Sequence, residues 1–391
     1  MMFHYNASFW KPAQIQGLLN AVPNDHMIVL DLYSESHPVW NRTLAYYGKP
    51  WIWNLLSNFG GNISLWGRMN AVALNPSIAL HDPAAGKMTG IGLTPEAIEQ
   101  NPALYQLMLE NVWQNVPVSL PLWLKEYTLE RYHVFNADIN EAWRILAGTV
   151  YEGGLGEGGP ESIIVARPTI NGWADRVRTK LDFNAKNLMP AWALFIKAAP
   201  VLQQSDGFQY DLVDLTRQVL ANQATPLQQQ WVLAYLEHDT AAFEKYSGKF
   251  IELMDDMDTL LNTRREFLLG KWIAEARQNG ISAEEKNLYE KNARDLVTLW
   301  GDKESELHEY SNRQWAGLIK GFYKPRWEKF FQYLKQKMAD GGRMETTDFD
   351  AGIKTWEWQW VNDHSVQYDS LPRGNAVVTA TRLYEKYRVM R

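Results

Sequence analysis

Met88-Thr-Gly-Ile-Gly-Leu-Thr-Pro-Glu96-Ala-Ile-Glu-Gln-Asn101 reads as a buried strand that turns sharply into a helix. Ile91 and Leu93 are apolar, and Gly90 and Gly92 permit close backbone approach. Thr94 suits a cap, Pro95 the first helical position, and Glu96 the positive field of a helix N-terminus. A carboxylate where a strand ends and a helix begins is where α/β barrels keep catalytic groups. The alternative is a glutamate that only stabilises the helix start, where acidic residues are favoured for structural reasons.

Two more short apolar runs precede this stretch, and each reads as a buried strand. Met27-Ile-Val-Leu-Asp-Leu32 delivers Asp31, Tyr33, Ser34 and Glu35 to its C-terminal end. The two acids there either face the mouth at the strand ends or are buried on backbone amides. Pro50-Trp-Ile-Trp-Asn-Leu-Leu56 runs into the loop Asn58-Phe59-Gly60-Gly61-Asn62. Asparagine amides can bond a polar ligand and Phe59 offers a pocket wall, but the same loop also reads as a turn needing the freedom of Gly60 and Gly61. Helical patterns lie between the strands: Phe9 to Leu19 with Pro12 in its first turn, and Leu65 to Leu74. Strands alternating with helices mean βαβ units and a parallel sheet. Three strands are too few to close an eight-stranded barrel.

After Asn101 helices take over. Pro121 opens one, Asp138 with Glu141 predicts a capping box, and Ser282 with Glu285 predicts another. Trp192 to Ala199, Leu212 to Leu220 and Phe243 to Leu261 keep helical spacing. A helix through Trp315 and Phe322 is expected to break near Pro325. Gly153-Gly-Leu-Gly-Glu-Gly-Gly159 is a flexible connector, since it lacks the Gly-Lys-Ser/Thr ending of a phosphate loop. No fixed repeat period exists, which argues against a solenoid.

Three segments together resemble the α-N-acetylglucosaminidase family of retaining glycoside hydrolases: the Glu96 stretch, Lys49-Pro-Trp-Ile-Trp-Asn-Leu-Leu-Ser-Asn-Phe-Gly-Gly-Asn62, and Leu299-Trp-Gly301. The resemblance runs in order from Phe9 to the C-terminus. It implies the C-terminal part of a (β/α)8 TIM barrel over residues 1–112, followed by an all-helical domain over 113–391. It makes Glu96 the nucleophile, and it places the acid/base glutamate upstream of Met1. Trp300 matches a tryptophan that lines the sugar pocket; its bland role is a contact closing a helix end. Tyr310, in Leu307-His-Glu-Tyr310, matches a pocket tyrosine, and Asn58, Phe59 and Asn62 fall at the same mouth. The implied reaction removes terminal α-linked N-acetylglucosamine from glycans or glycosaminoglycans, with no cofactor. The implied setting is periplasmic, extracellular or lysosomal. A non-catalytic helical interaction module is the competing reading.

Composition excludes other classes. Among 391 residues, 46% are hydrophobic and 21% charged, so a sizeable core is available. The 18 Trp and 18 Tyr suit either sugar stacking or large helical cores. A net charge of -6 without a basic stripe argues against nucleic acid. No apolar stretch reaches the roughly 18–20 residues of a membrane span. With no cysteine there is no disulfide or thiolate chemistry, and the eight scattered His lack metal-site spacing.

Overall fold

The computed structural model describes residues 8–97, 99–154, 158–171, 177–305, 308–344 and 346–389. Ile98, residues 155–157 of the glycine-rich connector and Leu307 therefore lie outside the described residues.

The three apolar runs form strands β1 (Val29–Asp31), β2 (Trp51–Leu55) and β3 (Met88–Leu93), all parallel, in the order β1-β2-β3. Trp51 and Trp53 of the middle strand are fully covered. The Trp51 ring stacks on Trp40 at 5.5 Å and its indole donates to the Ala85 carbonyl at 2.7 Å. Helix α1 (Pro12–Asn20) starts at its proline. The β2–β3 crossover carries α2 (Met69–His81), which begins four residues later than its apolar pattern suggests. Residues 65–67 are spent elsewhere: Leu65 N donates to Gln218 Oε1 at 2.8 Å and Trp66 N to Asn101 Oδ1 at 3.1 Å.

The helix expected at Thr94 does not form there. Thr94 N extends the strand pairing by donating to Leu55 O at 2.9 Å, and its hydroxyl accepts from the Asn54 amide. A threonine used in this way cannot cap. Helix α3 begins instead at Pro102, after Asn101 in a left-handed conformation (φ 50°).

Among the described residues ten α-helices follow: α4 (Leu120–Tyr132), α5 (Ala137–Ala147), α6 (Met189–Leu202), α7 (Asp206–Leu236), α8 (Thr240–Leu261), α9 (Leu269–Gln278), α10 (Ala283–Leu296), α11 (Lys324–Ala339), α12 (Thr346–Asn362) and α13 (Ala376–Tyr387). The capping box of α10 forms as its sequence predicts. That of α5 does not: Asn136 caps by accepting from Ile139 N at 3.0 Å, while Asp138 and Glu141 pair with Lys197 and Arg144. Pro325 breaks nothing. A π-helical turn at Ile319–Tyr323 runs straight into α11, where the proline occupies the first turn and its missing N–H is harmless. A single apolar core, from Ile15 to Tyr387, runs through strands and helices alike. Tyr210 of α7 reaches the Glu99 carbonyl at 3.1 Å, so the helices frame the loops beyond the strands.

Candidate active site

Three loops meet at the C-terminal end of the sheet. The first leaves β2 (residues 56–62), the second leaves β3 (residues 94–100), and the third lies between α10 and α11. Pro95 has no N–H to continue pairing, so the chain turns out and leaves the Glu96 side chain exposed. Glu96 Oε2 accepts the Gly60 N–H at 2.5 Å and the Tyr310 hydroxyl at 2.6 Å. Among the described residues Oε1 accepts nothing. These two donors replace the helix N-terminus that the sequence suggested.

Tyr310 comes from the helical part, and its ring lies 5.1 Å from that of Trp300 at 57°. Trp300 is left-handed (φ 65°) and its N–H closes the end of α10 on the Asp295 carbonyl at 2.8 Å. Its backbone therefore ends the helix while its ring joins Tyr310. Phe59 is half-buried, edge-on to Tyr33 at 5.8 Å. The Asn58 amide is spent within the protein, and so is the Asn62 Nδ2, while the buried Asn62 Oδ1 has no partner among the described residues. Asn58 Nδ2 donates to the Asn62 carbonyl at 2.6 Å, its Oδ1 accepts from Gln100 at 3.2 Å, and Asn62 Nδ2 donates to Glu161 at 2.7 Å. These contacts build the loop, the second of the two roles its residues allow.

The acids nearest the other strand ends are also structural. Asp31 is buried and accepts from Val39 N and Trp40 N at 3.0–3.1 Å. Glu35 is buried on Leu56 N (3.2 Å) and Ser57 N (2.6 Å), and so fixes the start of the β2 loop. Burial pushes Asp31 up to about 6 and Glu35 up to about 7, against the lowering effect of their backbone donors. Both folded pKa values lie above the unfolded ones. Each group therefore contributes stability that is complete below the ordinary carboxylate range and is lost as pH rises through about 6 and about 7. Glu35→Gln is expected to remove a fall in Tm between about pH 4.5 and 7, worth about 1.4 kcal/mol per pH unit across that window. An unchanged pH profile of Tm in that variant would rule this out.

Sequence reasoning missed the residues that brace the site. Ser311 Oγ and Arg313 Nη1 both donate to the Gly60 carbonyl at 2.8 Å. Burial pulls the Arg313 guanidinium below its ordinary range, opposed by Glu99. Glu309, next to Tyr310, is buried in an ion cluster with Arg326, Arg167 and Glu357: Arg167 N donates to Glu309 at 2.9 Å, and Glu357 pairs with Arg167 at 2.7 Å and Arg326 at 2.9 Å. No local motif signals partners such as Glu309 with Arg167, Arg167 with Glu357 or Gly60 with Arg313, which lie 142, 190 and 253 residues apart in the chain. No cluster of three or more metal-ligating side chains exists among the described residues, nor a helix long and apolar enough to cross a membrane.

A carboxylate beyond a parallel strand, hydrogen-bonded on one oxygen and flanked by aromatic rings, is suited to glycoside cleavage. The chain superimposes on a family 89 glycoside hydrolase from Clostridium perfringens in complex with PUGNAc, with a TM-score of 0.87, 35% identity and coverage of 95% of this chain and 43% of that one. The same hydrolase with 2-acetamido-1,2-dideoxynojirmycin gives a TM-score of 0.89, 34% identity and coverage of 97% and 44%. A variant of it with two glutamates changed to glutamine, in complex with its substrate GlcNAc-alpha-1,4-galactose, gives 0.84, 34%, and 92% and 41%. The class is that of the glycoside hydrolases.

Residues 1–115 match the alpha-N-acetylglucosaminidase (NAGLU) tim-barrel domain, and residues 123–386 match the alpha-N-acetylglucosaminidase C-terminal domain. The human alpha-N-acetylglucosaminidase is 37% identical over 390 residues, 99% of this chain and 51% of the human protein. The chain belongs to the alpha-N-acetylglucosaminidase family, as the resemblance implied, and spans about half the length of these relatives. Its small sheet and helices α1 to α3 fall in the TIM-barrel match, and the helices that follow fall in the match to the family's C-terminal domain.

Proposed function

We propose that this chain carries the nucleophile side of a retaining α-N-acetylglucosaminidase site, which removes terminal α-linked N-acetylglucosamine from a glycan. Glu96 Oε1 attacks the anomeric carbon while Oε2 stays fixed by Gly60 and Tyr310. That one-sided arrangement carries the reading, because it orients one oxygen and leaves the other open for the sugar. Trp300 and Tyr310 wall the substrate side with Phe59, and Asn58 and Asn62 shape the loop that presents the Gly60 N–H. We place the division between barrel part and helical part at residue 112.

A retaining glycosidase needs a second carboxyl group about 5–5.5 Å from the first. Glu35 and Glu161 have the raised pKa of an acid, but both are tied to amide groups that build loops. Neither is free to follow a leaving group. The acid/base in this reading comes from the part of the barrel that the longer relatives possess. This chain alone is therefore expected to turn over 4-nitrophenyl α-N-acetylglucosaminide at least about 10²-fold more slowly than a chain extended to the relatives' length. In the extended chain, proton NMR should show α-configured sugar released first. A β-configured first product, or equal turnover by the chain alone, would overturn the reading.

A further inference from the structure

Glu161 takes no part in the chemistry above, yet it sits where the two donor loops are joined. Its Oε1 accepts from Asn62 Nδ2 at 2.7 Å and its Oε2 from Asn312 Nδ2 at 2.9 Å. Asn62 closes the loop that carries Gly60, and Asn312 lies two residues from Tyr310. Gly60 and Tyr310 are the two groups that hold Glu96. Ser311 and Arg313 lock the same pair of loops from the other side, through the Gly60 carbonyl.

We propose that Glu161 is a positioning residue: its carboxyl group staples the Asn58–Asn62 loop to the Glu309–Arg313 loop and so keeps both donors on Glu96. The proposal rests on the reading of Glu96 as the nucleophile only for its catalytic meaning. The staple acts as a neutral acid. Both of its hydrogen-bond partners are uncharged amides, and among the described residues it has no ion-pair partner. A half-buried carboxylate without a paired cation is costly. Two charged groups face it: the Glu309 carboxylate opposes ionisation and Arg178 favours it. Burial and Glu309 prevail over Arg178 and the Asn312 hydrogen bond and push Glu161 up to about 8. Above that pH a second negative charge appears beside Glu309, while both amide N–H donors still hold the ionised carboxylate, so the bridge persists under a changed local field.

The test uses this chain as it stands and needs no turnover. With ¹³C-labelled glutamate and ¹⁵N-labelled backbone, the Glu161 carboxyl signal is followed with pH, its assignment taken from Glu161→Gln. The Gly60 amide proton, shifted downfield by its bond to Glu96, is followed in parallel. A Glu161 midpoint near 8, with the Gly60 amide shifting at the same midpoint, is the expected result. In Glu161→Gln the single amide oxygen keeps the Asn312 N–H and Asn62 must turn its amide to accept from the new NH2; the bridge is then uncharged at every pH, and Gly60 should lose the transition. In Glu161→Ala it should sit upfield at every pH. A Glu161 midpoint below about 6, or a Gly60 signal blind to Glu161, overturns the proposal even if the alanine variant fails to fold. Glu96→Gln kinetics judge the glycosidase reading separately, since that reading can fail while these shifts behave as described.

Discussion

Glu96→Gln, in a chain extended to the length of its relatives, is expected to lower kcat by at least about 10³-fold while barely changing Tm. The geometry gives the reason. Two donors converge on Oε2, so a glutamine must place its own oxygen there to avoid facing them with an N–H. Its amide nitrogen then occupies the attacking position, and an amide is a poor nucleophile. Folding should hardly change, because the side chain is exposed and the surviving oxygen keeps both hydrogen bonds. Glu96→Ala is a useful companion, since it opens space in which azide can attack an activated substrate. Attack from the position of Glu96 would yield a β-configured glycosyl azide, a product that a structural glutamate could not explain. A kcat within about tenfold of the parent, or about 1.4 kcal/mol in barrier, would remove Glu96 from the nucleophile role.

How far the sequence could be read divides along local and distant contacts. The strands were legible because each carries a short apolar run, and the structure places them at Val29–Asp31, Trp51–Leu55 and Met88–Leu93, the last half-buried where a buried strand was expected. The family was legible from short motifs around Trp53, Glu96 and Trp300. The helix start at Thr94 was misread because its capping hydroxyl is taken by Asn54, 40 residues earlier. Asp138 was misread as a cap for a similar reason: Asn136 reaches the same turn first, and Asp138 is left for Lys197. What actually holds Glu96 was invisible. Gly60 and Tyr310 are each ordinary in their own neighbourhoods, and only the packing of the helices against the sheet brings them to one oxygen. The same is true of Glu161, whose significance comes from Asn62 and Asn312 together.

Gly60→Ala is expected to be the most damaging single-methyl change in these loops. Gly60 is left-handed (φ 64°), which alone costs an alanine about 1 kcal/mol. A Cβ there would also lie 1.6 Å from the Tyr310 carbonyl oxygen and 2.6 Å from its carbon. Both atoms are backbone, so no side chain can swing aside. The loops must separate, at a further cost of about 1–3 kcal/mol. Separation weakens the Ser311 and Arg313 bonds to the Gly60 carbonyl and moves the two donors apart over Glu96. Tm should therefore fall by about 5 °C or more, and in the extended chain kcat should fall with it, since a misplacement of about 1 Å can cost 10²-fold. Gly90→Ala is the control: nothing lies within 4 Å of a Cβ there and its φ is not positive, so Tm and kcat should stay close to the parent. If Gly60→Ala behaves like that control, the β2 loop and residues 309–313 do not meet as closely as drawn. The bracing of Glu96 by the helical domain would then have to be abandoned.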